Sequence, residues 1–230
     1  MARDKVRSKT IKIKALDGHV LDGYLASPPG APRAGMLVLQ EIFGVTAHMR
    51  QVTDEFAARG FLALAPALFD RLKPGTELPY SRITEAVALM QQLAIDDVAR
   101  DLAGSVAALR SLLPAGAKIG VVGYCWGGAI ADLAACRTDV SAAVSYYGRA
   151  NVNWLQEQPH CPVLYHFGAK DPLIPPEIVQ QIRSGRPGAQ AWVYPDAGHG
   201  FSCDERPEFH PPSAALALDR TLAFLAMHLQ

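Results

Sequence analysis

This 230-residue chain lacks single-sign charge runs, long apolar stretches and closely spaced cysteine pairs, and each absence removes a class of function. Its 22 basic residues are matched by 22 acidic ones. Nucleic acid and anionic membranes both need a concentrated basic face, so neither is expected as a partner. The longest strongly apolar stretch, residues 61–69 (FLALAPALF), falls well short of the roughly 20 residues that cross a bilayer. The opening segment MARDKVRSKT is basic, but IKIKALDG follows with lysines where a signal core would stand, so no secretory signal is expected. Cys125, Cys136, Cys161 and Cys203 form no CxxC pair, which points to free thiols, a reducing compartment and a cytoplasmic location. His199 and Cys203 are four apart and His160 adjoins Cys161, yet no set of three or four residues has zinc-site spacing. No P-loop is present, and Gly123, Gly127 and Gly128 do not make a GxGxxG fingerprint. A reaction without metal or cofactor is expected.

What is present is the composition of an ordinary globular enzyme, half apolar or aromatic and free of low-complexity tracts. Residues 9–15 alternate apolar and polar, LDGH supplies a turn, and VLDGYLAS follows, a pattern that predicts an antiparallel hairpin. GMLVLQ, FLALAPAL, KIGVVGY, VSAAVSYYG, PVLYHFGA and QAWVYPDA are short apolar runs of the kind found in strands buried on both faces. Helical patterns lie between them, at about 46–59, 83–113, 125–138, 175–185 and 212–229. Gly60 ends the first and Pro114 the second. Alternating strands and helices predict a mainly parallel sheet with helices on both faces. With no linker visible, residues 1–230 are expected to form one α/β domain.

The strongest chemical signal is Gly123-Tyr124-Cys125-Trp126-Gly127-Gly128, placed between a buried strand and a helix. It reads as a G-x-nucleophile-x-G elbow with cysteine in the nucleophile's place. A tight turn there lifts the thiol off the sheet and sets it at a helix N-terminus, whose partial positive charge favours thiolate. By itself the hexapeptide also suits a buried structural cysteine. Two further motifs weigh against that: Asp171 follows the strand PVLYHFGA, and His199 sits in a Gly-His-Gly-Phe loop after AWVYPDA. Alone, one is an Asp-Pro turn and the other a loop histidine. Together they give the order Cys…Asp…His at strand C-terminal ends, where this class of sheet gathers its catalysis. His199 is then the general base, Asp171 its orienting partner, and Cys125 the nucleophile that forms a thioester. The backbone N–H of Trp126, and that of Ile42 from the loop after GMLVLQ, are the expected oxyanion donors.

Gln40-Glu41-Ile42-Phe43-Gly44-Val45, the GYCWGG elbow, Asp171 and Gly-His-Gly-Phe together resemble the dienelactone hydrolase (carboxymethylenebutenolidase) family over nearly the whole chain. The resemblance implies a compact single-domain α/β-hydrolase with an N-terminal antiparallel hairpin and no large lid. It implies that Glu41 sits beside the thiol and helps switch it to thiolate when substrate binds. It implies a cation for the substrate carboxylate, with Arg71 in the expected place, since arginine presents a planar fork. The family's second arginine falls at position 203, where this chain has Cys203, and Arg206 lies three residues on. Phe43 and Tyr147 are candidate pocket residues, although core packing explains Tyr146 or Tyr147 equally well.

The expected activity is hydrolysis of a small, anionic carboxylic ester or lactone. A broader esterase or thioesterase using the same machinery is favoured by the absent second arginine. A non-catalytic ligand-binding member of the fold is the other class, and the intact Cys/Asp/His set weighs against it. A monomer or small homo-oligomer is expected.

Overall fold

A computed structural model of the protein describes residues 5–230. The first four residues of the basic opening segment lie outside that range. The chain forms two compact units, one of residues up to 120 with Gln230 and one of residues 121–229.

In the first unit, β1 (Arg7–Lys14) and β2 (Val20–Ser27) make the expected hairpin, with Ile13 opposite Leu21. Beyond β2 lies β4 (Phe61–Pro66), antiparallel to it, and then β3 (Ala34–Leu39), parallel to β4. Both β3 and β4 are buried at every residue, which is why their sequences are continuous apolar runs instead of alternating ones. Pro66 is tolerated because it is the last residue of its strand. Helix α1 (Ala47–Ala58) starts where the Thr46 side chain accepts from the Met49 N–H, and Gly60, at φ +91°, lets the chain turn after its end.

The single helix predicted over 83–113 is two helices, α2 (Ile83–Met90) and α3 (Ile95–Ser111). The ladder tightens after Met90, where Gln92 and Leu93 donate to carbonyls only three residues back, and Ala94 turns extended with ψ 131°. Asp96 and Asp97 then fall in the first turn of α3, where carboxylates favour a new N-terminus. Apolar periodicity does not register such a break, because Leu93 keeps the stripe going.

Strand β5 (Ile119–Tyr124) carries the chain into the second unit. There it lies beside β6 (Ala142–Tyr146), which runs parallel to β7 (Val163–Gly168), itself parallel to β8 (Gln190–Tyr194). Helices α4 (Trp126–Arg137), α5 (Pro176–Gly185) and α6 (Pro211–His228) complete the unit. Its core holds a buried polar relay: Tyr146 Oη to Thr221 Oγ1 at 2.7 Å, Thr221 to His166 Nε2 at 3.0 Å, and His166 Nδ1 to Tyr194 Oη at 2.9 Å. Among the described residues, no helix is long and apolar enough to cross a membrane.

Candidate active site

Cys125 stands between the last residue of β5 and the first of α4, at φ 56°. A left-handed backbone at a side-chain-bearing residue costs on the order of 1–3 kcal/mol and persists only where neighbours impose it. Here they do. A Cβ on Gly123 would drive into the Gly127 carbonyl, and one on Gly128 into the Tyr146 carbonyl, so the elbow closes only with glycine at both positions. The Cys125 N–H donates to Tyr146 O at 3.0 Å, pinning the elbow to the end of β6. Farther along α4, fully buried Asp132 takes hydrogen bonds from Tyr165 Oη (2.6 Å), Trp154 Nε1 (3.1 Å) and the Nε and Nη2 atoms of the buried Arg186 guanidinium (3.2 Å each). With its charge paired and its lone pairs filled, Asp132 fixes the helix that carries the thiol.

The acid and the histidine come from two adjoining loops. Ala169 N–H donates to Tyr194 O and Lys170 N–H to Ala197 O, each at 2.9 Å, so the loops after β7 and β8 are stitched together by main chain. Asp171 Oδ1 accepts from the Leu173 N–H at 2.8 Å, which sets the carboxylate's orientation. Its Oδ2 accepts from His199 Nδ1 at 2.8 Å, and His199 Nε2 lies 3.1 Å from Cys125 Sγ. Thiol, imidazole and carboxylate are thus in hydrogen-bond sequence, the order that nucleophilic catalysis requires. Burial lowers the affinity of the imidazole for its proton, but the Cys125 thiolate and Asp171 outweigh this and raise His199 to about 10. The arrangement can hold a thiolate–imidazolium pair and return that proton to a leaving group.

Trp126 is the first residue of α4, directly after Cys125. Glu41, Ile42 and Phe43 belong to the first unit, in the loop after β3, and are exposed by only 1, 8 and 2%. That loop is held by Leu78 N–H on Phe43 O (2.9 Å) and by Leu68 N–H on Gln40 Oε1 (3.0 Å).

The three candidate substrate contacts each have partners within the protein. Arg71 does not offer an open fork: its Nε and Nη2 donate to Asp101 at 2.7 and 2.9 Å, and Asp17 lies 2.9 Å from Nη1. Phe43 packs edge-on against Tyr80, with centroids 4.8 Å apart. Tyr147 is wholly buried, its ring edge-on to His199 at 5.2 Å and its hydroxyl bonded to Ser202 Oγ at 2.7 Å. Spacing could not show this, because the partners lie 30, 37 and about 52–55 residues away. Arg206 packs its guanidinium against Gly200, beside His199, with Glu208 3.3 Å from its Nε. Cys203 is fully buried. Among the described residues, no three His, Cys, Asp or Glu side chains are grouped so as to hold a metal ion.

The model of the dienelactone hydrolase family matches residues 21–229. A carboxymethylenebutenolidase of Pseudomonas putida is 35% identical over 224 residues, covering 94% of this chain and 95% of that one. A Klebsiella pneumoniae crystal structure, provisionally described as a dienelactone hydrolase, superposes with a TM-score of 0.88 at 28% identity, covering 97% of this chain and 99% of its own. A dienelactone hydrolase-like promiscuous phosphotriesterase from metagenomic libraries shares the fold, with a TM-score of 0.77 at 19% identity and coverage of 97 and 99%.

Proposed function

Because this chain belongs to the dienelactone hydrolase family, and is an α/β-hydrolase that acts on carboxylic ester or lactone bonds, we propose that it does so through Cys125, His199 and Asp171. The observation that carries this reading is one imidazole spanning the other two groups, 3.1 Å from the thiol sulfur and 2.8 Å from the carboxylate.

The sulfur of Cys125 attacks the carbonyl carbon, its proton residing on His199 Nε2. Negative charge gathers on the carbonyl oxygen, and the Trp126 N–H at the start of α4 stabilises it. The C–O bond breaks as His199 gives the proton to the departing alkoxide or enolate, leaving an acyl thioester on Cys125. Water, deprotonated by His199, then attacks the thioester; the C–S bond breaks, the carboxylic acid leaves and the thiol is restored. Asp171 accepts from Nδ1 throughout and fixes the imidazole, so that Nε2 always faces the sulfur.

A second reading concerns the substrate's charge. With Arg71 engaged by Asp101 and Asp17, and Cys203 where a second arginine was expected, a neutral ester or lactone fits better than a carboxylated one. Steady-state hydrolysis of dienelactone and of p-nitrophenyl acetate, by wild type and Cys125→Ala, tests both. Loss of both activities with the thiol supports the mechanism, and the ratio of the two in wild type decides the charge preference. Turnover surviving in Cys125→Ala would remove the mechanism.

A further inference from the structure

Among the described residues, Tyr147 is one of two other than glycine with positive φ, at 41°; the other is Cys125. A bulky aromatic side chain in that region is uncommon and marks a place where the surrounding structure imposes the backbone. Three contacts account for it. The Tyr147 N–H donates to His166 O at 2.8 Å, extending the β6–β7 ladder by one residue. Its ring meets the His199 imidazole at 5.2 Å with planes at 61°, and Phe201 at 5.4 Å. Its hydroxyl shares a 2.7 Å hydrogen bond with Ser202 Oγ, three residues beyond His199. The preceding residue, Tyr146, accepts from the Cys125 N–H. Two consecutive residues at the end of β6 therefore touch the nucleophile elbow on one side and the histidine loop on the other.

We infer that Tyr147 and Ser202 form a positioning strap, in which the ring backs the imidazole and the hydroxyl pair fixes the loop, so that His199 Nε2 stays within reach of Cys125 Sγ. The inference rests on the Cys–His–Asp reading above. Tyr147 is a positioning residue and not a substrate contact, since it is wholly buried. The His199 loop needs such a brace. Its glycines leave it few side-chain anchors, and Gly200 at φ +80° is a point of backbone freedom directly after the base. A base that drifts by a fraction of an ångström loses rate without losing affinity for substrate.

The test uses Ser202→Ala, Tyr147→Phe, the double variant and Ser202→Thr. Each single variant should lower kcat about three- to tenfold, the range of one lost hydrogen bond, with KM within about twofold. The double variant should be no slower than the slower single, because both remove the same bond. Ser202→Thr should recover most of kcat, and iodoacetamide alkylation of Cys125 at neutral pH should slow in parallel with kcat. Unchanged kcat in Ser202→Ala, a loss confined to KM, or losses that multiply in the double variant would each overturn the strap. If Tyr147→Phe does not fold, Ser202→Ala and Ser202→Thr decide alone. Cys125→Ala separates the two readings. Turnover surviving in it removes the triad and the strap together, while turnover abolished in it, with Ser202→Ala like wild type, removes the strap alone.

Discussion

Arg71 lays the Nε edge of its guanidinium on Asp101, Nε to Oδ2 at 2.7 Å and Nη2 to Oδ1 at 2.9 Å. Asp101 is fully buried in α3, and Asp17, from the turn of the β1–β2 hairpin, takes Nη1 at 2.9 Å. One arginine thus ties hairpin, β4 loop and helix together. Burial pushes the Asp101 carboxyl up, and Arg71 is the counter-charge that opposes this. Arg71→Ala is expected to cost about 3 kcal/mol of stability by stranding a buried carboxylate, read from urea unfolding. The ratio of kcat/KM for carboxylated and neutral esters should stay as in wild type; a selective loss on carboxylated esters would return Arg71 to substrate binding.

Asp171→Asn keeps the shape of the acid but removes the charge that holds Nδ1 protonated. Turnover should fall by about a thousandfold or more with KM little changed, measured at substrate saturation. A loss of less than about tenfold would mean that His199 is oriented by something else.

The four cysteines should differ sharply toward alkylating agents. Burial pushes Cys136 up to about 11 and Cys161 up to about 12, so both rest as thiols near neutrality. Cys125 pairs with an imidazole. Brief iodoacetamide treatment at pH 7.5, followed by peptide mass spectrometry, should place a single adduct on Cys125. Equal labelling of Cys161 would contradict the pairing.

His166 predicts an acid-sensitive fold. Burial first, and Arg220 second, lower it to about 3 from an ordinary value of 6.5. Above 6.5 neither folded nor unfolded chain holds the proton, and the residue is silent. As pH falls from 6.5 toward 3, the unfolded chain takes up a proton that the native state refuses. Its contribution then removes stability at about 1.4 kcal/mol per pH unit. Urea unfolding at several pH values between 7 and 4.5 should show a steeper decline for wild type than for His166→Gln. Identical slopes would mean that the buried imidazole does not govern acid sensitivity.

Much of this protein could be read from the chain because the determining forces are local. Strands β3 to β7 announce themselves as apolar runs, since a strand buried on both faces has no room for alternation. The elbow was legible because its sterics lie within six residues, where glycines at 123 and 128 are demanded by carbonyls that would meet any Cβ. The order of Cys125, Asp171 and His199 was legible because each follows a recognisable strand. The break at 91–94 was hidden, because it changes the backbone without interrupting the apolar stripe.

The sequence by itself determined the order of the strands, the glycine elbow and the types of side chain available for catalysis. Only the tertiary structure decided what the ambivalent side chains do. Arg71 carries a fork that suits a substrate carboxylate as well as a protein one, and Asp101, 30 residues on, takes it. Tyr147 could have faced a pocket or the core, and Ser202, 55 residues on, draws its hydroxyl inward beneath His199. The physical reason is the same in both cases. A polar group is satisfied by whichever partner the fold brings within about 3 Å, and that distance is set by packing across the chain, where neighbours in sequence have no say.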